Sequence, residues 1–240
     1  MRVNAAVGVI EWWHPPVPPQ RVAHPPRGFH GTMIAVRLSS PPALSDALNV
    51  MRPSARLRGQ AGALEGYLDE GDSVLDVGCG TGYLSAYLHE MYGVNASGVD
   101  VQDSRRTQIP FRLFDGTSIP VQGKSFDHAL LSEVLHHSHD PLALIKECYR
   151  VARRSIIVFE DMPQGRSGKL ILRAHVEAFA RYYRYPFRPA NVDAYRRALE
   201  WLGDNASCVA RIPQPPEWLR VYPRVLLVYA LRPPSASRSS

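Results

Sequence analysis

Three glycines at alternate positions, Gly78, Gly80 and Gly82, follow the run Val74-Leu75-Asp76-Val77 and precede a helical pattern that begins at Tyr83. Glycines at the end of a strand let backbone N–H groups approach a ligand with no Cβ in the way. The spacing narrows the ligand. A dinucleotide turn needs G-x-G-x-x-G; here G-x-G-x-G stands, with Tyr83 where the third dinucleotide glycine would sit. The turn therefore suits a nucleoside without a pyrophosphate. Asp100 lies 22 residues beyond Gly78, the range in which an acid ending a second strand accepts hydrogen bonds from ribose hydroxyls. Asp115 follows a third short strand and is placed to accept a hydrogen bond from an exocyclic amine. Ser132 and Glu133 follow a fourth strand. Asp76, just ahead of the glycines, faces the positive side of a ligand or braces the turn. One such acid alone reads as a solvated loop carboxylate; four strand ends bearing polar groups together read as a site.

The elements that must position these groups alternate between strand and helix. A helical face carries Leu57, Ala61, Leu64 and Leu68 from Ser54 onward, and Gly71-Asp72 ends it. Strands are expected at 73–76, 96–99, 111–114, 126–131, 155–159, 208–212 and 225–231, and helices at 83–91, 142–152 and 166–204, the last broken near Pro186 and Pro189. Only 14 residues separate Asp100 from Asp115, and they include Pro110. That is too short for a crossover helix plus a strand, so a loop is expected there. Asp140-Pro141 reads as a helix entry, with Asp140 as N-cap. Alternation of this kind implies a parallel sheet covered on both faces. Ligands on such a sheet bind outside the carboxyl ends of the strands, where the strand order reverses.

The ordered series resembles the class I S-adenosylmethionine-dependent methyltransferases. Asp76-Val-Gly78-Cys79-Gly80-Thr-Gly82 is similar to their first motif, Val99-Asp100 to their second, and Phe114-Asp115-Gly116-Thr-Ser-Ile119-Pro120 to their adenine-side motif. Ser125-Phe126-Asp127-His128 through Ser132-Glu133-Val-Leu135-His136-His137 resembles the type 11 group, which includes quinone-biosynthesis methyltransferases. The resemblance covers about residues 54–160 and the last two strands. It implies a Rossmann-like, doubly wound α/β fold: a seven-stranded, mostly parallel sheet with a helical cap insertion at 166–204, in a methyltransferase domain spanning 46–232. It further implies S-adenosyl-L-methionine as cofactor. Gly78 and Gly80 then lie against its methionine part, Asp100 on the ribose, Asp115 on the adenine amine, and Ser132 and Glu133 beside the methyl group, with Asp76, Cys79, Gly82, Val101 and Gly116 completing the binding set. The short 101–114 segment departs from the family, whose usual helix there walls the adenine.

A methyl acceptor that must lose a proton needs a base, and His136 and His137 are the candidates, with pKa values near neutrality before perturbation. The alternative is that one of them braces the loop. Residues 166–200 hold eight basic residues (Arg166, Lys169, Arg173, Arg181, Arg184, Arg188, Arg196, Arg197) against Glu177, Asp193 and Glu200, which accounts for +5 of a net charge of +6. With Tyr182, Tyr183, Tyr185 and Phe187 the cap suits an anionic or planar acceptor or a peripheral membrane contact. A lipid-like or quinone-like small molecule is the acceptor expected. RNA or protein methylation is the alternative, and nucleic acid is the less favoured partner, because no Asn-Pro-Pro-Tyr-type motif follows the fourth strand. A non-catalytic binding protein that keeps the cofactor fold is the other alternative.

Composition bounds the rest. No apolar run reaches the roughly 18 residues of a spanning helix, and Met1 to Ile10 lacks a signal-peptide core, so a cytoplasmic protein is expected. Cys79, Cys148 and Cys208 are odd in number and far apart, which argues against a disulfide framework or a zinc site; no metal is expected. Residues 1–45 hold eight of the 21 prolines and read as a disordered arm or a proline-rich docking segment. The Ser/Pro-rich tail, 233–240, reads as disordered.

Overall fold

The structure is a computed structural model that describes residues 54–182, 192–214 and 223–231. The arm at 1–45, the tail at 233–240 and the break at Pro186 and Pro189 lie outside the described residues. In chain order the elements are α1 (Ala55–Gly62), β1 (Ser73–Val77), α2 (Tyr83–Tyr92), β2 (Asn95–Asp100), β3 (Phe111–Leu113), β4 (Phe126–Ser132), α3 (Pro141–Val151), β5 (Ala152–Asp161), α4 (Gly165–Tyr182), α5 (Val192–Asn205), β6 (Ala206–Pro213) and β7 (Arg224–Leu231). The seven strands form one sheet in the order β3-β2-β1-β4-β5-β7-β6. β1 to β5 are mutually parallel, and β7 runs antiparallel between β5 and β6. Strand order reverses between β1 and β4, so the crevice at their carboxyl ends is the position where a sheet of this kind binds ligands.

The apolar runs are nearly continuous because both sheet faces are covered. Val74, Leu130, Ile157, Phe159, Leu226 and Val228 pack toward one layer, with Ala61, Leu84 and Leu88. Their neighbours Leu75, Val77, Ala129, Leu131, Ile156, Val158, Leu227 and Tyr229 pack toward the other, with Leu144, Ile145, Leu172, Tyr195 and Leu202. Three- and four-residue steps place Tyr195, Ala198 and Leu202 on one face of α5, and all three are buried in that second layer. The Tyr195 hydroxyl donates to the Asp161 carbonyl at 2.7 Å. Within the segment expected as a cap, α5 is thus a layer of the sheet, while α4 buries only Gly168, Leu172 and Val176.

Local outcomes follow from residue type. The first helix starts where expected, with the Ser54 hydroxyl accepting from Leu57 N–H at 3.2 Å. It stops at Gly62 instead of running to Leu68. Gly59 and Gly62 weaken the helix, and Gly66 turns the chain at φ +79°; Leu64 and Leu68 are buried all the same, from turns. α3 has the expected cap, Asp140 Oδ1 accepting from Ala143 N–H at 2.9 Å. Between β2 and β3 the crossover is a loop, as its length requires. Gly98 N–H donates to Pro110 O at 2.8 Å, and Arg106 N–H donates to Thr81 O at 2.8 Å, which lays the loop against the glycine turn.

At the opposite, amino end of the sheet, His128 of β4 is buried between Asp72 and Ser155. Its Nε2–H donates to Asp72 Oδ2 at 2.9 Å, and its Nδ1 accepts from the Ser155 hydroxyl at 2.7 Å. Arg154 closes the network with a 2.6 Å bond to Asp72 Oδ1. The residue types are those of a serine hydrolase, but both Ser155 and His128 are buried in the sheet, so the network is a tie between neighbouring strand ends.

Candidate functional site

The glycine turn leaves β1 with Gly78 at φ +72°, Gly80 at +52° and Gly82 at +77°. A Cβ on Gly78 would stand 2.6 Å from a Val134 methyl, whereas one on Gly80 would meet nothing within 4 Å. Gly78 is therefore glycine because of backbone conformation and packing. Gly80 faces open space. The turn is held to β2 by Gly78 and Cys79 N–H groups donating to Val99 O at 2.8 and 3.2 Å.

Asp100 is part of this turn. Its Oδ2 accepts from Gly80 N–H at 2.8 Å, and its Oδ1 accepts from Val101 N–H at 2.7 Å. Burial raises its pKa against the pull of these bonds. Asp76 lies beneath the turn and is buried, accepting from the Ser85 hydroxyl at 2.6 Å. Burial pushes its pKa up to about 7; the Ser85 bond opposes this and the Asp100 charge adds to it. Two carboxylates thus converge below a turn whose outer side is open, an arrangement that favours a ligand carrying positive charge. Cys79 packs its sulfur toward Gly98, and burial pushes its thiol pKa well above the usual range, so it is a packing residue and not a nucleophile.

Asp115 is more remote and exposed. Its Oδ1 accepts from Thr117 N–H at 2.7 Å, from the Thr117 hydroxyl at 2.8 Å and from Ser118 N–H at 2.7 Å. These bonds hold its carboxyl below the usual carboxylate range and set the turn through Gly116, at φ +89°. Strand pairing keeps Asp115 near Asp100, since Phe114 N–H donates to Asp100 O at 3.1 Å.

Across the crevice, Ser132 ends β4 and accepts from Gln60 Nε2–H of α1 at 2.9 Å. Glu133 has the left-handed φ of +61°, uncommon for a residue with a side chain. Two arginines hold its carboxylate, Arg56 of α1 at 2.7 Å and Arg224 of β7 at 2.9 Å. Helix α1 and the start of β7 therefore shape the β4 end of the site. Arg56, Gln60 and Arg224 carry no signal in the sequence, because only the fold brings them to this end of β4.

The segment after Glu133 is a turn that presents both expected histidines. His136 is buried, and its Nδ1 is hydrogen-bonded to Glu160 Oε1. Glu160 also accepts from Leu135 N–H at 3.1 Å and Asp161 N–H at 2.9 Å. Burial alone would lower the His136 pKa, but the Glu160 charge and bond raise it above the ordinary value. His137 is pushed down to about 2 by burial and by the neighbouring His136 and His175. Its ring stacks on Phe179 of α4 at 4.3 Å. One ring nitrogen each from His136, His137 and His175 lies within 4.8 Å of the others. His175 and Phe179 are silent in the sequence, because nothing 38 residues beyond His137 signals that α4 will fold over this turn. A groove of about 390 Å³ opens elsewhere, between β2, β3 and residues 121–126, and none of the expected site residues lines it.

A 3-2-1-4-5-7-6 sheet with a glycine turn after β1 and an acid ending β2 is the Rossmann-like fold of methyltransferases. Residues 75–159 match the family model described as a methyltransferase domain. It is 30% identical over 135 residues to the 2-methyl-6-phytyl-1,4-hydroquinone methyltransferase of Synechocystis sp., covering 52% of this chain and 42% of that protein. It is 29% identical over 101 residues to a ubiquinone biosynthesis O-methyltransferase of Pseudomonas putida, covering 37% and 43%. An O-methyltransferase of Pyrenophora dematioidea is 30% identical over 96 residues, 35% of this chain and 36% of that protein. The chain thus spans less than half the length of these curated relatives. Among solved structures, the geranyl diphosphate C-methyltransferase of Streptomyces coelicolor superposes with a TM-score of 0.57 at 16% identity, covering 85% of this chain and 92% of that one; this likeness establishes the fold.

Proposed function

We propose that this chain transfers a methyl group from S-adenosylmethionine to a small organic acceptor. The observation that carries the reading is the open glycine turn at the reversal point, with Asp100 bonded to its Gly80 N–H and Asp76 buried beneath it. When bound, S-adenosylmethionine supplies a methyl group already activated by a sulfonium, so the protein's work is to bind, orient and exclude water. Gly78 and Gly80 give backbone access to the ligand, Asp100 offers its remaining lone pairs to ribose hydroxyls, and Asp115 keeps Oδ2 for the adenine amine. Val101 begins the loop that stands in place of the adenine-side helix. The acceptor lies at the end of β4, beside Ser132, Glu133 and the histidine turn. Where the acceptor's hydroxyl must lose a proton, His136 is the histidine whose surroundings favour taking it, because Glu160 stabilises the charged ring; His137, pushed low, is a weak base.

A quinone-like or lipid-like acceptor is the finer reading. Two relatives are named as hydroquinone and ubiquinone-biosynthesis methyltransferases. Helix α4, over the histidine turn, exposes Leu170 (68%) and Tyr182 (80%) among Arg166, Arg173 and Arg181, a surface suited to contact with an anionic membrane. Among the described residues no helix is long and apolar enough to cross a membrane. The test is to incubate the protein with isotopically labelled S-adenosylmethionine and a panel of hydroquinones, phenols, bulk cell lipid, cell RNA and cell protein, then identify the labelled product. Label in a hydroquinone or phenol is the expected result; label only in RNA or protein overturns the acceptor class.

A further inference from the structure

We propose that His136, His137 and His175 form a binding site for a first-row divalent transition-metal ion, of which Zn²⁺ is the representative case. Their three ligand nitrogens already lie within 4.8 Å of one another. Zn–N bonds of 2.0–2.1 Å in a tetrahedral site need nitrogens about 3.4 Å apart, so closure demands at most about 1.4 Å of movement. His175, on α4, is the most exposed of the three. Imidazole suits Zn²⁺, Cu²⁺, Ni²⁺ and Fe²⁺, and disfavours Mg²⁺ and Ca²⁺, which select oxygen.

Two observations beyond proximity point to a ligand. First, His137 Nδ1 is buried and has no hydrogen-bond partner; an orphaned buried nitrogen is costly unless something binds it. Second, His136 has its Nδ1 fixed on Glu160, which leaves Nε2 as the open end of a carboxylate–imidazole pair, the support that metal-bound histidines commonly have. Glu160 is itself anchored by the N–H groups of Leu135 and Asp161. Burial falls from His136 through His137 to His175, so an ion has an entry route at the α4 end. An ion takes the same His136 Nε2 that otherwise accepts the acceptor's proton, so the two roles exclude one another; three neutral imidazoles leave a dipositive ion its full charge and an open coordination position. That position takes an oxygen donor, either water or an ionised hydroxyl.

The experiment uses the full chain, freed of metal by chelator and then titrated with Zn²⁺ alone by calorimetry and with Co²⁺ by visible absorption. Neither S-adenosylmethionine nor a methyl acceptor is present, so the outcome is separate from the methyl-transfer reading. The expected result is one ion per chain and a Co²⁺ spectrum typical of four- or five-coordinate nitrogen and oxygen ligation. His175→Ala, which removes an exposed side chain and leaves the fold intact by circular dichroism, is expected to weaken Zn²⁺ binding by about tenfold or more. Glu160→Gln, with the ligands retained, is expected to weaken it by about 10–100-fold. Absence of Zn²⁺ binding by the wild-type protein overturns the proposal. So does unchanged affinity in His175→Ala, since the ion would then sit elsewhere on the chain.

Discussion

Burial sets the properties of several residues in this site, and Asp76 shows this most clearly. Its folded pKa of about 7 stands above the roughly 3.9 of a free Asp. Between those values the folded state keeps a proton that the unfolded state has released, so this residue lowers stability as pH rises from about 4 to 7 and not the reverse. The gap corresponds to about 4 kcal/mol as an upper bound. Asp76→Asn removes the effect. The difference in unfolding free energy between variant and wild type is expected to grow in favour of the variant over that pH window. It is measured by urea denaturation at about pH 4.5, 6 and 8, which covers most of the interval between the two pKa values; a constant difference contradicts the assignment. The glycine turn and Asp100 are legible from spacing. The Asp100 bond to Gly80 N–H is not, because spacing tells which strand an acid ends and not which donor it meets. The two histidines are legible as candidates, but Glu160, which separates their behaviour, lies 24 residues from His136 and meets it only through strand pairing.

Among the elements, the loop in place of a helix between β2 and β3 is readable because length and Pro110 leave no alternative, whereas the strand order is set by packing that no motif states. The helix starting at Ser54 is shorter than its pattern predicts: side-chain periodicity continues past Gly62, while the glycines end the hydrogen bonding. For the segment 166–204 composition points to one cap, whereas packing divides it. α5 supplies Tyr195 and Leu202 to the core, and α4 lays His175 and Phe179 over the histidine turn. The amino ends of the strands depend on the Asp72–His128–Ser155 network. Replacing His128 by Leu keeps the side chain of similar size but removes hydrogen bonds to a buried carboxylate and a buried hydroxyl. The expected cost is about 2–3 kcal/mol, read from chemical denaturation; a loss below about 0.5 kcal/mol, the range of ordinary surface substitutions, would show that the network is not structural.

Across the whole molecule, the sheet brings together groups that are far apart in sequence. The crevice gathers Asp76 and Gly80 from the end of β1, Asp100 from β2, Glu133 from the end of β4 and Arg224 from β7. Sequence motifs reach the cofactor side because its groups follow strands in a fixed order. On the proposed acceptor side they reach Ser132, Glu133 and the two histidines, and not the partners of these residues, which α1, α4, β5 and β7 bring in by tertiary packing. Everything proposed for the chemistry depends on S-adenosylmethionine binding to the glycine turn and Asp100, which calorimetric titration measures without an acceptor. One site per chain with a Kd below about 100 µM is expected, and Asp100→Asn, folded by circular dichroism, is expected to weaken it by about tenfold or more, a difference of about 1.4 kcal/mol. No heat of binding at millimolar S-adenosylmethionine, or equal affinity in the two proteins, would contradict this placement of the cofactor.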